Sequence, residues 1–447
     1  MWNYTPGALK KDLPTPVPQV NPNEPVEDPI WHPSGHKNGR TEPTFVSPTY
    51  DTLEANLPKE LMRFSDKLFP LDAQALPKHS TVKKYLDEYG EDVKDLIQFE
   101  TQVNDLRSNS SNSSGASGWI LTTENLRTGA NRTDSYDAVV VASGHYDVVY
   151  LPDIPGIREW NKTYPGIISH SKLFDSPSAF YGKKVVVIGS SASAIDIGAQ
   201  ISEVSKGNLL FSQRTESFLQ PAPADDKTYF PEIVEFLSPA SHDRAIRFAD
   251  GRIEDEIDAI VFCTGYFYSF PFLSSLDPPV ITDGRRGINT YQHLFYIYNP
   301  TLVFPVLTQR IIPFPFAESQ AAVFARVWSG RLTVPSQAEM KAWEDALVAE
   351  RGNGKFFHFL PFPQDADNMN LLYDWASSAE TRPGLDNNGN GKLPLRWGEK
   401  ERWLRSHFPD IRKAFVGKGE ARSTFKSVAE LGFDFEAWKR EQEDNGT

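Results

Sequence analysis

The 447-residue sequence predicts an α/β fold, and three observations carry that expectation. The segments Ala138–Ala142 (AVVVA), Val185–Ile188 (VVVI) and Ala259–Cys263 (AIVFC) are short, continuously apolar and rich in β-branched residues. Runs of this kind suit central parallel strands covered on both faces by helices. Each is followed within two residues by a glycine, Gly144, Gly189 or Gly265, which lets the backbone turn tightly beneath a ligand. After Gly189 a helical pattern begins with Ala194, Ile195, Ile197, Ala199 and Ile201. Ligands of such sheets bind at the carboxyl ends of the strands.

Around this centre the elements follow in order. Pro14, Pro16, Pro18, Pro22, Pro25, Pro29 and Pro33 make residues 1–48 loop or extended coil. Between Tyr50 and Met62, Leu53, Leu57 and Leu61 outline a short helical face interrupted by Pro58. Val82, Tyr85, Leu86 and Tyr89 predict a helix over 80–90 with Ser80 as its N-cap. The Ser/Asn/Gly run Ser108–Ser117 reads as a flexible hairpin loop, followed by a strand at Gly118–Thr122. Asn208–Arg214 is the strand after the glycine turn. Ser336, Met340, Trp343 and Leu347 place a capped amphipathic helix over 336–351. Asp386–Lys392 is a Gly/Asn turn, and the last 25 or so residues form a surface helix.

Composition narrows the function. With 46 Lys and Arg against 59 Asp and Glu the net charge is −13, against a nucleic-acid binder, which would carry a basic excess. A single cysteine, Cys263, excludes an intramolecular disulfide, a CxxC redox centre and a cysteine-rich zinc site, and no metal site is predicted. No apolar run reaches the roughly 20 residues of a membrane helix. The expectation is a cytoplasmic chain, with peripheral attachment to the endoplasmic reticulum as the variant.

The strongest chemical signal runs from Lys183 to Ile201. Gly189, Ser191 and Ala194 occupy the three positions of a G-x-G-x-x-G/A fingerprint, with Ser190, Ala192 and Ser193 between them. The first position must turn, the second must admit a phosphate, and the third must pack against the strand. Serine in the second place departs from the strict pattern but stays small and can donate to a phosphate oxygen. The helix N-terminus offers free amides and positive potential for a pyrophosphate. Twenty-five residues past Gly189, Arg214 stands where an NAD site would hold Asp or Glu. Arginine suits a 2′-phosphate, so NADP(H) is the expected nucleotide.

Upstream lies Tyr164-Pro165-Gly166-Ile167-Ile168-Ser169-His170-Ser171-Lys172-Leu173-Phe174. It resembles the F-x-G-x-x-x-H-x-x-x-[YF] motif of the flavin-containing monooxygenases, through Tyr164, Gly166, His170 and Phe174. Ala142–Tyr146, Pro152–Gly156, Cys263–Tyr266, Ser269–Leu273, Leu53–Met62 and Pro313–Gln320 with Trp328–Arg331 look like further segments of that family, in order. The resemblance spans about residues 1–345 and is closest to fungal members.

The resemblance implies an enzyme with two nucleotides, FAD and NADPH, and two Rossmann-like domains. The FAD domain would comprise 1–157 and 254–335, lacking its first βαβ unit; the NADPH domain would comprise 158–253, and 336–447 would be a C-terminal helical extension. NADPH would reduce FAD, and a flavin hydroperoxide would oxygenate a soft nitrogen or sulfur nucleophile such as an amine, sulfide or thiol, with O2 as co-substrate. A homodimer is the assembly considered. By match to the motif, Asn56 would sit beside the flavin as a neutral donor, or be a turn residue before Leu57-Pro58. His170 reads as an organiser of the inter-domain joint, and Cys263 as a buried strand residue. Gly144, Thr264 and Gly265 belong to the crossing segments. Glu318 and Gln320 face the flavin or cap a helix beginning in Pro313–Ala317, and Trp2 belongs to the segment that follows the first unit.

A second G-x-G-x-x-G, expected for FAD, does not occur before Gly189. The expectation is a truncated gene product or an incomplete start, with weak FAD binding and little oxygenation. Two alternatives stand beside the monooxygenase: a non-catalytic NADP-binding remnant, and a Baeyer–Villiger oxygenase, whose motif carries Trp where Phe174 stands.

Overall fold

A computed structural model describes residues 2–24, 27–33, 41–109, 118–215 and 225–445. The chain gathers into two compact units, one of residues 1–53 with 145–267 and one of residues 54–144 with 268–447. Packing therefore groups the N-terminal 53 residues with the segment 158–253, and the C-terminal helices with 54–144.

In the first unit a five-stranded, fully parallel sheet supplies the frame. Its strands are β7 (Ile168–His170), β8 (Val185–Ile188), β9 (Leu209–Ser212), β10 (Lys227–Phe230) and β14 (Ala259–Phe262), in the order β10-β9-β8-β14-β7. Two of the three apolar runs, β8 and β14, thus lie at its centre. Successive side chains of a strand point to opposite faces, and the packing follows that period. Val186, Leu210, Ile260 and Phe262 join one buried cluster with Trp160, Phe236 and Phe248. Val185, Val187, Leu209, Phe211, Ala259, Val261 and Cys263 join another with Ile195, Ile197 and Ile201 of the helix Ala192–Ser202. Both faces are dry, which is why these strands read as unbroken apolar runs.

The same unit carries a ribbon of β1 (Ile30–Pro33) and β2 (Thr41–Thr44), and a three-stranded antiparallel sheet of β11 (Ile233–Phe236), β12 (Ile246–Phe248) and β13 (Ile253–Glu254). The region expected to be coil therefore holds a ribbon and a helical turn, Gly7–Lys10. Pro33 and Pro43 fit there because a two-stranded ribbon has only edges, where a missing N–H costs little.

In the second unit β3 (Thr101–Asn109), β4 (Gly118–Asn125) and β5 (Asn131–Tyr136) form an antiparallel sheet. The predicted strand at Gly118–Thr122 is the first part of β4; residues 110–117 of the expected loop lie outside the described residues. The third apolar run departs from expectation. Only Val139–Val140 forms a strand, β6, and it takes the edge of a four-stranded sheet with β15 (Thr290–Tyr291), β16 (Phe295–Tyr296) and β17 (Leu302–Val303), in the order β15-β16-β17-β6. With one neighbour among the described residues, Val140 is 38% exposed.

Helix ends follow tertiary pairing more than propensity. Lys78 is held extended by a bridge to Glu54, so the helix runs His79–Tyr89 and Ser80 falls inside it. Pro58 leaves only Lys59–Met62 helical in the 50–62 stretch. Gln337–Arg351 begins with the reciprocal capping box of Ser336 and Glu339, as expected. The chain end carries the helix Phe435–Asn445 after two 3₁₀ turns.

Phe262 sits at the sheet centre with no exposed surface. Phe262→Ala is expected to cost about 3–5 kcal/mol, read as a lower urea midpoint; a loss below about 1 kcal/mol would show that this face of the sheet is not close-packed.

Candidate nucleotide site

The parallel register of the first unit sets the carboxyl ends of four strands in one row. Ile188 pairs with Ser212 on β9 and with Phe262 on β14, and Phe262 pairs with His170 on β7. The residues just beyond these positions are Gln213 and Arg214, Gly189, and Cys263 to Gly265. The sheet therefore brings together Arg214, Gly189, Thr264, Gly265 and His170, five residues scattered over 96 positions of sequence.

Gly189 is the pivot. Its amide donates to the Ser212 carbonyl at 2.9 Å, and the Cys263 amide donates to the Ile188 carbonyl at 2.7 Å. Its φ is +136°, and a Cβ there would lie 2.6 Å from the Cys263 carbonyl oxygen. No side chain fits, and the chain turns directly into the 192–202 helix. Ser191 is the N-cap residue in extended conformation, exposed, and its hydroxyl makes no capping hydrogen bond. The first-turn amides, at Ala192, Ser193 and Ala194, have no intrahelical acceptor. Ser190, Ala192 and Ser193 are half-buried, while Ala194 is buried against the sheet. The helix also packs closely at Gly198, where a Cβ would stand 3.0 Å from the Phe211 ring. Arg214 is exposed two residues past β9.

The motif residues form the other end of the row. His170 is 1% exposed; its Nδ1 accepts from the Lys172 amide at 3.1 Å, and its ring meets Tyr266 edge-on at 5.2 Å. Burial pushes its pKa down to about 3, so at neutral pH it is an uncharged ring that packs. Tyr164 packs beside Trp160, Gly166 takes φ +82°, and Phe174 meets Tyr50 at 5.2 Å. Thr264 donates from Oγ1 to the Tyr150 carbonyl. Burial pushes the Cys263 thiol up to about 12, which makes it a packing residue and a poor nucleophile. Trp2 is half-buried in this unit.

Sequence reasoning missed Lys172. It is the third residue after the motif's Ser169, buried, and donates from Nζ to Glu27 Oε1 at 2.6 Å, Asp147 Oδ1 at 2.7 Å and the Asp147 carbonyl at 2.9 Å. One ammonium thus ties three distant stretches beside His170. The signal available was a lysine beside the motif histidine and just before Leu173 and Phe174, which must find carboxylates if it is buried.

The remaining predicted residues belong to the second unit. Asn56 is half-buried and its amide makes no hydrogen bond to another described residue. Its segment is fixed on both sides, by the Ala55 amide on the Pro77 carbonyl (2.8 Å) and the Lys59 amide on the Ala75 carbonyl (2.9 Å). Gly144 takes φ +76°. Gln320 lies fully buried in the helix Pro313–Trp328, accepting from the Val306 amide at 2.8 Å and donating to the His293 carbonyl at 3.4 Å. Glu318, beside it, accepts from Ser65 Oγ at 2.6 Å and from the Ser65 amide at 3.0 Å.

A dinucleotide fits the row: a glycine cradle that excludes a Cβ, open helix amides, a free serine hydroxyl and a basic residue at the neighbouring strand end. The second unit offers no comparable strand–glycine–helix turn among its described residues, so the pyrophosphate of a second nucleotide finds no such cradle there.

Because His170 is neutral when folded and titrates near 6.5 when unfolded, the unfolded state binds the extra proton below that pH. Stability therefore falls as pH drops from about 6.5 towards 3. His170→Asn keeps an acceptor for the Lys172 amide and removes the titration. Its urea midpoint is expected to fall less between pH 7 and 4.5 than that of the parent; equal falls would exclude His170 as a source of acid lability.

The chain matches the flavin-binding monooxygenase-like family over residues 36–234 and 231–385. It is 33% identical to the thiol-specific monooxygenase of Saccharomyces cerevisiae, over 70% of this chain and 71% of that one. It is 27% identical to the flavin-containing monooxygenase iboF of Amanita muscaria, over 86% and 82%. The structure of S-allyl-L-cysteine S-oxygenase from Allium sativum superposes with a TM-score of 0.72 at 27% identity, covering 99% of this chain and 89% of that one. Tmm from Pelagibacter sp. strain HTCC7211, 20% identical with a TM-score of 0.65, shares the fold. FAD and NADPH are the cofactors that these likenesses carry with them. Fold, glycine turn and motif converge with the match, and the chain belongs to the flavin-binding monooxygenase-like family.

Proposed function

We propose that this flavin-dependent monooxygenase draws its reducing equivalents from NADPH and oxygenates a soft nucleophile, with sulfur preferred to nitrogen. The observation that carries the NADPH reading is the Gly189 turn, where a Cβ would collide with the Cys263 carbonyl at 2.6 Å while the following helix presents its free amides. These amides and the Ser191 hydroxyl hold the pyrophosphate, and Arg214 pairs with the 2′-phosphate. Sulfur is favoured because the thiol-specific monooxygenase and the S-allyl-L-cysteine S-oxygenase are both similar to this chain.

FAD, when bound, supplies the oxygen-activating chemistry. In the second unit Asn56 holds an unengaged amide on a fixed segment, suited to donate a hydrogen bond without delivering a proton. The division by ligand assigns NADPH to 158–253 and FAD to 1–157 with 254–335, with 336–447 as a helical extension. Among the described residues the strand–glycine–helix cradle occurs at Gly189 and not in the second unit, and this favours a second reading: an NADP-binding chain without redox turnover.

Arg214→Ala is expected to weaken NADPH binding by about tenfold, the scale of a lost charge-assisted pair, and to leave NADH binding unchanged. Equal loss for both nucleotides, followed by fluorescence quenching, would remove the 2′-phosphate assignment. NADPH consumption with a thiol, a thioether and a tertiary amine, with and without added FAD, separates the two readings. Substrate-dependent consumption on adding FAD supports the oxygenase; NADPH binding without consumption supports the second reading.

A further inference from the structure

The second unit contains a cleft of about 520 Å³. Its floor is the alanine face of the 313–328 helix, Ala317, Ala321, Ala322 and Ala325, and Phe64 and Tyr89 line it too. Its lining is largely apolar, and its volume lies in the range of small-molecule pockets.

Arg326, Arg331 and Arg382 also line it. None of the three forms an ion pair with a carboxylate among the described residues. Arg326, 4% exposed, spends its guanidinium on backbone carbonyls, Ala322 (2.9 Å), Asn390 (2.7 Å) and Lys392 (3.0 Å), and its Nε is buried without an acceptor. Arg331, 8% exposed, donates to the carbonyls of Glu380, Asn390 and Gly389. Arg382 donates to the Ser329 carbonyl at 2.7 Å. The first two flank Gly391, where a Cβ would lie 3.5 Å from Arg331 Nη1 and 3.8 Å from Arg326 Nη2. Two buried like charges at such close quarters, without a counter-ion, are costly. The carboxylate that lines the cleft, Glu318, is already held by Ser65 and by Lys392 at 3.2 Å.

An apolar trough closed by uncompensated guanidiniums is complementary to a molecule with an apolar body and an anionic, planar head. We propose that this cleft binds a small amphipathic carboxylate, separate from the Gly189 site. The body lies along the alanine face and the carboxylate meets the N–H groups that the backbone carbonyls leave over on Arg331 and Arg382, with the buried charge of Arg326 behind them.

The test is titration calorimetry of the full chain with decanoate and with decanol, which share the tail and differ in the head. One equivalent of decanoate is expected to bind, at least tenfold more tightly than decanol. Arg382→Gln, a surface change, is expected to weaken decanoate about tenfold and leave decanol unchanged. Ala325→Leu, which puts a branched side chain into the trough from an exposed position, is expected to abolish both. Equal affinity for the two probes, several equivalents of decanoate on parent and variants alike, or undiminished decanoate binding by a folded Ala325→Leu chain would overturn the proposal. If Ala325→Leu fails to fold, the Arg382→Gln comparison decides alone.

Discussion

At Gly189 a buried strand becomes a helix in a space that has no room for one methyl group. Its amide is committed to Ser212, and the Cys263 carbonyl stands where a Cβ would be. This crowding makes the nucleotide site possible. Only because β8 is held between β9 and β14 does the chain leave the sheet at that level, with the helix amides directed past the strand ends. The dryness of both sheet faces, the closeness of the helix at Gly198 and the level of Arg214 all follow from the same register. A one-residue slip in β8 would turn Val185 and Val187 towards the wrong cluster and move the turn off the row.

Buried cations are paired with carboxylates in both units. In the first, Lys172 sits among Glu27 and Asp147 and ties separate stretches of chain beside His170. In the second, Arg286 faces Glu344 and Arg405 faces Asp365, each pair almost wholly inside. Such pairs add little net stability but punish the loss of either partner, because the other is left charged and buried. Arg326 and Arg331 break this pattern by using carbonyl oxygens alone. Carbonyl dipoles satisfy donors without cancelling charge, and this leaves the cleft beside them electrostatically open to an anion.

Legibility in the sequence followed burial. The strands β8 and β14 were readable because two dry faces force an unbroken apolar run, and the Gly189 turn because glycine spacing reports a steric limit. The family motif was readable from Tyr164 to Phe174 as spaced residue types. The run Ala138–Ala142 looked the same as the other two, yet became an edge, since composition reports what a strand can tolerate and not how many neighbours it gets. Ser80 had the right chemistry for a cap, but the Glu54–Lys78 bridge, formed across 24 positions, set the helix start. Prolines at the N-terminus pointed away from a central strand, yet the stretch expected to be coil still holds a two-edged ribbon and the helical turn Gly7–Lys10.

The sequence by itself determined the α/β class, the glycine turn and its helix, the basic residue at the next strand end, and membership of a flavin monooxygenase family. These depend on local backbone geometry and on spacing, which a linear chain displays. Tertiary structure alone decided which residues share a row, that His170 is a neutral packed ring, that Lys172 is a buried tie, and that three arginines from two distant stretches line one cleft. Each of these depends on desolvation and on contacts between remote segments, and neither is written at any single position of the chain.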